Sequence, residues 1–128
     1  MHSLTKFMNG ASDHIAGAIC GPADLISKMM DTHSGTLMLL GPTMDPQVAF
    51  DISLRLPHLG LRVAEHSRRA HAFATRLAEM HLPVNYPGLA SHADHARLNV
   101  LANDGFGMGG LLTLDLGTRD RAFDFMRI

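Results

Sequence analysis

His2-Ser3-Leu4-Thr5-Lys6-Phe7-Met8-Asn9-Gly10-Ala11-Ser12-Asp13 is the stretch of this chain whose residue types are hardest to explain by packing alone. It has no clear hydrophobic period, and with Gly10 inside it the segment suits a loop more than a regular element. Ser3 and Thr5 set two hydroxyls beside the amine of Lys6 on a short, extended piece of backbone. Hydroxyls and open backbone N–H groups suit a phosphate. A lysine withdrawn from water loses part of its preference for charge and becomes nucleophilic toward carbonyls. A phosphorylated aldehyde would use both properties, although by spacing alone a surface Ser/Thr/Lys loop is the better account.

Outward from this stretch, Ile15-Ala16-Gly17-Ala18-Ile19-Cys20 is a short apolar run closed by Gly21-Pro22, and its length predicts a buried strand. Leu25, Ile26, Met29 and Met30 then recur at helical spacing from Ala23 to His33, with Gly35 as the stop. Asp45-Pro46 pairs a side-chain cap with proline at the first helical position, so a helix starts there and runs toward Pro57. After His58, the apolar positions Leu59, Val63, Ala70, Phe73, Ala74 and Leu77 fall on one helical face, opposite Glu65, Arg68, Arg69, Arg76 and Glu79. Glu65 and Arg69 add an i,i+4 pair. Leu82 to Gly88 predicts a short extended piece ending in a turn, Asp94 to Asn103 a helix, and Gly109 to Leu116 a strand. Thr118 is placed to cap a last helix from Arg119 to Arg127. Strands alternating with helices argue for α/β, with a change of composition near His66.

The 128 residues suffice for one domain's worth of core. With 46% hydrophobic and 18% charged residues, and a mean hydropathy of +0.06, the chain is too apolar for disorder and too evenly mixed for a membrane protein. Eleven basic against twelve acidic residues leave no electrostatic footprint for nucleic acid or an anionic bilayer. Cys20 stands alone, which excludes an internal disulfide and fits a buried thiol in a reducing compartment. Nine histidines raise the question of a metal, with His92 and His95 three apart around Asp94 and His66 and His71 five apart. Without a third ligand at helical spacing, solvated or hydrogen-bonded histidines are the better account. Met29, Met30, Met38 and Met44 read as core filler. Gly105-Phe106-Gly107-Met108-Gly109-Gly110 neither follows a strand nor opens a helix, so it reads as the entry to a strand and not as a nucleotide loop.

The order of residues from His2 to Asp13 resembles the Schiff-base signature of the Cys/Met metabolism family of pyridoxal-phosphate enzymes, approximately H-S-x-T-K-[YF]-x-x-G-x-x-D. Four further landmarks follow in the family's order: Ala18-Ile19-Cys20-Gly21, Leu59-Gly60-Leu61-Arg62, Tyr86-Pro87-Gly88-Leu89-Ala90-Ser91-His92 and Phe106-Gly107-Met108-Gly109-Gly110-Leu111-Leu112. The wording around Gly41-Pro42-Thr43-Met44 and Pro57-His58 is most similar to the branch that eliminates the γ-thiol of methionine. Two departures stand out: Ala11 replaces a histidine frequent in the family, and Pro57 with a shortened spacer replaces an R-G-[LI]-K-T entry. Neither touches the lysine chemistry.

The resemblance implies an α/β, fold-type I (aspartate aminotransferase-like) enzyme, with residues 1–65 closing the large cofactor domain and residues 66–128 opening the small C-terminal domain. It implies pyridoxal 5′-phosphate as cofactor, with Lys6 as Schiff-base anchor and proton carrier and Ser3 and Thr5 at the phosphate. It further implies a carbon–sulfur lyase that takes a sulfur amino acid, with methionine giving a thiol, 2-oxobutanoate and ammonia. The alternatives are cystathionine γ-synthase or cystathionine lyase chemistry and, from another class, a non-catalytic structural or oligomerisation remnant. A homo-oligomer, a dimer of dimers in the family, is expected in the cytoplasm, with no nucleic-acid or membrane partner. The first residues read as a strand met in mid-course, and the last helix stops while still amphipathic. The chain is therefore expected to be a fragment that is inactive alone and prone to associate through Ile15 to Ile19. The family's ring-pairing aspartate, ring-stacking tyrosine, phosphate clamp from the partner subunit and substrate-carboxylate arginine are expected outside it.

Overall fold

The computed structural model describes residues 1 to 127, which divide into two compact units, Met1–Leu59 and a second that begins at Gly60. In the first unit, β1 (His2–Ser3) pairs antiparallel with β2 (Gly17–Ala18), setting His2 opposite Ala18 and Ser3 opposite Gly17. The ladder is only two residues long because the chain leaves it at once: Leu4 and Thr5 both turn their N–H groups onto the Ala16 carbonyl, at 2.9 and 3.2 Å, and enter a π-helical turn over Leu4–Met8. The expected loop from His2 to Asp13 is thus a strand end followed by a helical turn. The expected buried strand from Ile15 to Cys20 shrinks to its central pair; Ile15 is 92% exposed, and Cys20 is exposed rather than buried.

Helix α1 (Ala23–Met29) ends four residues before His33. Asp31 stops it by accepting hydrogen bonds from the N–H groups of His33 and Ser34 and from the Ser34 hydroxyl, a side-chain mimic of a backbone turn. Those donors hold the Asp31 carboxyl below its usual pKa, the Ser34 hydroxyl most of all. Gly35, expected as a stop, instead opens α2 (Thr36–Leu40): a Cβ there would lie 2.5 Å from the Met29 carbonyl oxygen, so only glycine lets the two segments approach. Asp45 caps α3 (Pro46–Arg55) as expected, accepting from the N–H groups of Gln47 at 2.8 Å and Val48 at 3.2 Å with Pro46 in the first turn. A single 3-10 turn over Leu56–His58 follows at Pro57.

The long amphipathic helix is α4 (Leu59–Glu79). It buries Ser67, Ala70 and Ala74, whereas Phe73, expected on the apolar face, is 67% exposed. Its end is a Schellman motif: Leu82 N–H donates to the Leu77 carbonyl, His81 N–H to that of Ala78, and His81 takes the left-handed conformation that closes the motif. In the second unit, β3 (Val84–Asn85) pairs antiparallel with β4 (Thr113–Leu114), extended by a bond from Asp115 N–H to the Pro83 carbonyl. The strand expected from Gly109 to Leu116 is therefore limited by its two-residue partner. Helices α5 (His95–Leu101) and α6 (Arg119–Met126) complete the chain, the latter capped by Thr118 as the sequence predicts.

The core of the second unit is Tyr86, 1% exposed, packed on Ala70 and Ala74 with Val84, Leu89, Met108 and Leu112 around it. The alanines are what admit the ring, since a larger residue at either position would occupy its space. Tyr86 Oη lies 2.9 Å from the Gly109 carbonyl and 3.3 Å from that of Ser67, so the buried phenol is satisfied. Burial raises its pKa. Among the described residues no helix is long and apolar enough to cross a membrane.

Candidate active site

Lys6 sits in the middle of the π-turn, where its backbone (φ −92°, ψ −118°) leaves the helical region while its neighbours remain in it. Such turns recur at functional sites because they re-aim one residue within an otherwise regular segment. The Lys6 side chain is exposed, and among the described residues its ammonium makes no hydrogen bond or ion pair. The aim of Nζ is therefore set by the backbone on either side of it.

On the N-terminal side the fastening is Thr5. Its hydroxyl donates to the Ala16 carbonyl at 3.2 Å and accepts from the Ala16 N–H at 2.9 Å, clasping both polar groups of one residue. Ser3, two residues earlier at the end of β1, keeps an exposed side chain. On the C-terminal side Asn9 N–H returns to the Leu4 carbonyl and Gly10 N–H to that of Lys6. Gly10 has φ +75°, which is why this position of the signature is glycine.

Asn9 itself is only 1% exposed, and its amide is bonded at both ends: Nδ2 donates to Asp13 Oδ1 at 2.9 Å, and Oδ1 accepts from the Arg55 guanidinium. Arg55 also forks onto Asp13, Nη1 to Oδ1 at 2.7 Å and Nη2 to Oδ2 at 2.9 Å. This bidentate geometry is the strong form of the arginine–carboxylate pair. Arg55, and after it Asn9, holds the Asp13 carboxyl far below the ordinary aspartate range, and Asp13 in turn raises the pKa of Arg55. Next to it His14 Nε2 lies 2.9 Å from Asp51 Oδ2, while Gln47 Nε2 donates to Asp51 Oδ1 at 3.0 Å.

Of these polar partners only Asp13 was singled out in the sequence, as the end of the signature. Asn9, His14, Asp51 and Arg55 were missed. The available signal was that Asp51 and Arg55 stand four apart on α3, one acid and one base on a shared face. Among the histidines considered as metal ligands, His92 Nδ1 accepts from the Asp94 N–H and His95 Nδ1 lies 2.8 Å from the Pro87 carbonyl. No group of three His, Cys, Asp or Glu side chains able to hold a metal forms among the described residues.

A family model for Cys/Met metabolism PLP-dependent enzymes matches residues 1–127. The chain belongs to this family. It is 48% identical over 126 residues to a methionine gamma-lyase of Arabidopsis thaliana, covering 98% of this chain and 29% of the relative. It is 33% identical over 119 residues to cystathionine gamma-synthase 1, chloroplastic, of the same plant, covering 91% of this chain and 20% of the relative. It is 28% identical over 130 residues to a cystathionine gamma-lyase of Bacillus subtilis, covering 98% of this chain and 32% of the relative. The chain thus spans less than a third of the length of these relatives. No solved structure matches it.

The family's cofactor is pyridoxal 5′-phosphate, and the residues present are of the kind that would receive it. An aldehyde needs an accessible primary amine, and Lys6 is exposed with no ion pair among the described residues. A phosphate monoester needs donors, and Ser3 offers an exposed hydroxyl. Family membership also implies the fold-type I architecture, of which this chain carries mixed helix and strand.

Proposed function

We propose that this chain supplies the cofactor lysine of a pyridoxal-phosphate-dependent carbon–sulfur lyase, with Lys6 as the anchor and methionine as the substrate. The single observation that carries the reading is the Lys6 amine, without a protein partner among the described residues, on a turn fastened at both ends. When bound, the cofactor's ring accepts the electron pair left behind as the substrate loses its α-proton. Lys6 Nζ would hold the cofactor, and when free the same nitrogen would take up the α-proton and later return a proton to the carbon skeleton. Ser3 and Thr5 lie at the phosphate in this reading. Thr5 donates there by turning its hydroxyl hydrogen away from the Ala16 carbonyl while still accepting from the Ala16 N–H.

Residues 1–65 are proposed to close the large cofactor domain and residues 66–128 to open the small one, in a cytoplasmic homo-oligomer. The choice of methionine rests on 48% identity to a methionine gamma-lyase, against 33% and 28% to proteins named for cystathionine chemistry. Incubating the cofactor-loaded protein that carries this chain separately with methionine and with cystathionine, and quantifying the products, tests it. Methionine is expected to give a thiol, 2-oxobutanoate and ammonia with uptake of one water. Cleavage of cystathionine with no thiol released from methionine would overturn the substrate. Formation of cystathionine from an activated homoserine ester and cysteine would favour the synthase reading, which the 33% relative supports.

A further inference from the structure

We propose that Arg55 is the positioning residue for Lys6, acting through Asn9 and Asp13; the inference rests on the reading of Lys6 as the cofactor amine. Among the described residues the Lys6 ammonium makes no hydrogen bond or ion pair, so its aim depends on the turn being held on both sides. Thr5 secures one side through Ala16. The other side ends at Asn9, whose buried amide donates to Asp13 and accepts from Arg55. Arg55 belongs to α3, a separate and well-capped helix, and it bonds residues 46 and 42 positions away in sequence.

The guanidinium is suited to this task because one planar fork serves the Asn9 carbonyl oxygen and both carboxylate oxygens of Asp13 together. Removing it leaves the buried Asn9 oxygen without that donor and Asp13 without its counter-charge, and an unmade buried bond costs more than a made one contributes. Asn9 then turns toward water, and the two bonds that close the Lys6 turn, Asn9 N–H to Leu4 and Gly10 N–H to Lys6, open with it. Ser12, with φ +60°, lies in the segment between Asn9 and Asp13 that their hydrogen bond closes.

The test compares wild type with Arg55→Gln and Arg55→Lys in the protein that carries this chain. Amide hydrogen exchange is measured at Asn9 and Gly10 without cofactor, and pyridoxal phosphate is then titrated while its visible absorption is followed. Arg55→Gln is expected to speed exchange at both amides about tenfold and to weaken cofactor binding about tenfold, with a changed absorption band. Arg55→Lys keeps a charge for Asp13 but not the second bond to Asn9, so it is expected to recover only part of each effect. If Arg55→Gln does not fold, Arg55→Lys decides alone. Wild-type exchange, affinity and band in Arg55→Lys, or in Arg55→Gln, overturn the proposal. Failure of the reading beneath it looks different: wild type itself would show no lysine-bound absorption, while the exchange arm would still report whether Arg55 holds the turn.

Discussion

Around Lys6 the most buried side chain is an amide, Asn9, satisfied by an aspartate and an arginine; around Tyr86 it is an aromatic ring seated on two alanines. The first arrangement is directional and can be undone by removing one donor. The second is a matter of volume and resists any change that keeps the ring. A segment whose role is to aim an amine gains from directional bonds, because they fix angles as well as distances. A unit that only has to persist is better served by apolar burial, at about 25 cal/mol per Å².

The largest expected effect falls on the apolar side of this contrast. Tyr86→Ala removes the ring from the Ala70–Ala74 seat and should cost about 3–5 kcal/mol in denaturant unfolding, the range for large aromatic truncations. Tyr86→Phe, which keeps the volume and loses the bond to the Gly109 carbonyl, should cost about 1 kcal/mol. A cost for Tyr86→Phe close to that for Tyr86→Ala would mean that the second unit is also held by direction.

Gly107→Ala comes next. A Cβ there would lie 2.6 Å from Ser67 Cβ at a φ of +71°, so contact and backbone both oppose it, and thermal melting should fall by the equivalent of about 1–3 kcal/mol.

Acid should separate the two regions more gently. Asp13 has its pKa depressed by Arg55, so its contribution is complete above the ordinary aspartate range and is lost only as pH falls toward the lower folded value. Glu65, held down to about 2 by Arg68 and Arg69 from its usual 4.5, loses its share as pH falls through that interval. Protection of the Asn9 and Gly10 amides should therefore persist through mild acid and disappear only in strong acid. Loss already near neutrality would contradict the Asp13–Arg55 fastening.

The smallest effects sharpen the limits. His81→Gly should stabilise by about 0.5 kcal/mol, since glycine takes the left-handed position that closes α4 without the steric penalty histidine carries. Phe73→Ser, on an exposed position of the same helix, should change stability by less than about 0.5 kcal/mol.

What the sequence made legible was local. Asp45-Pro46 and Thr118 announce helix starts because a cap and its N–H partners lie within three residues, and α4 shows its length through an unbroken period. The strands were overextended because a ladder is as long as its shorter member, and neither β1 nor β3 exceeds two residues. Gly35 was misplaced because Asp31 ends α1 by a side-chain turn that hydrophobic spacing does not register. At the candidate site the lysine and its hydroxyls were visible as a motif. The Asn9–Asp13–Arg55 contact was not, since nothing in the sequence pairs Arg55 with residues more than forty positions earlier until α3 is folded against the turn.

The most direct measurement is the address of the cofactor. Reducing the pyridoxal-phosphate-loaded protein with borohydride and sequencing its peptides by mass spectrometry should place one pyridoxyl group on Lys6 and none on Lys28. A label on Lys28, or a Lys6→Ala variant that still traps the cofactor to the same extent, would contradict the account.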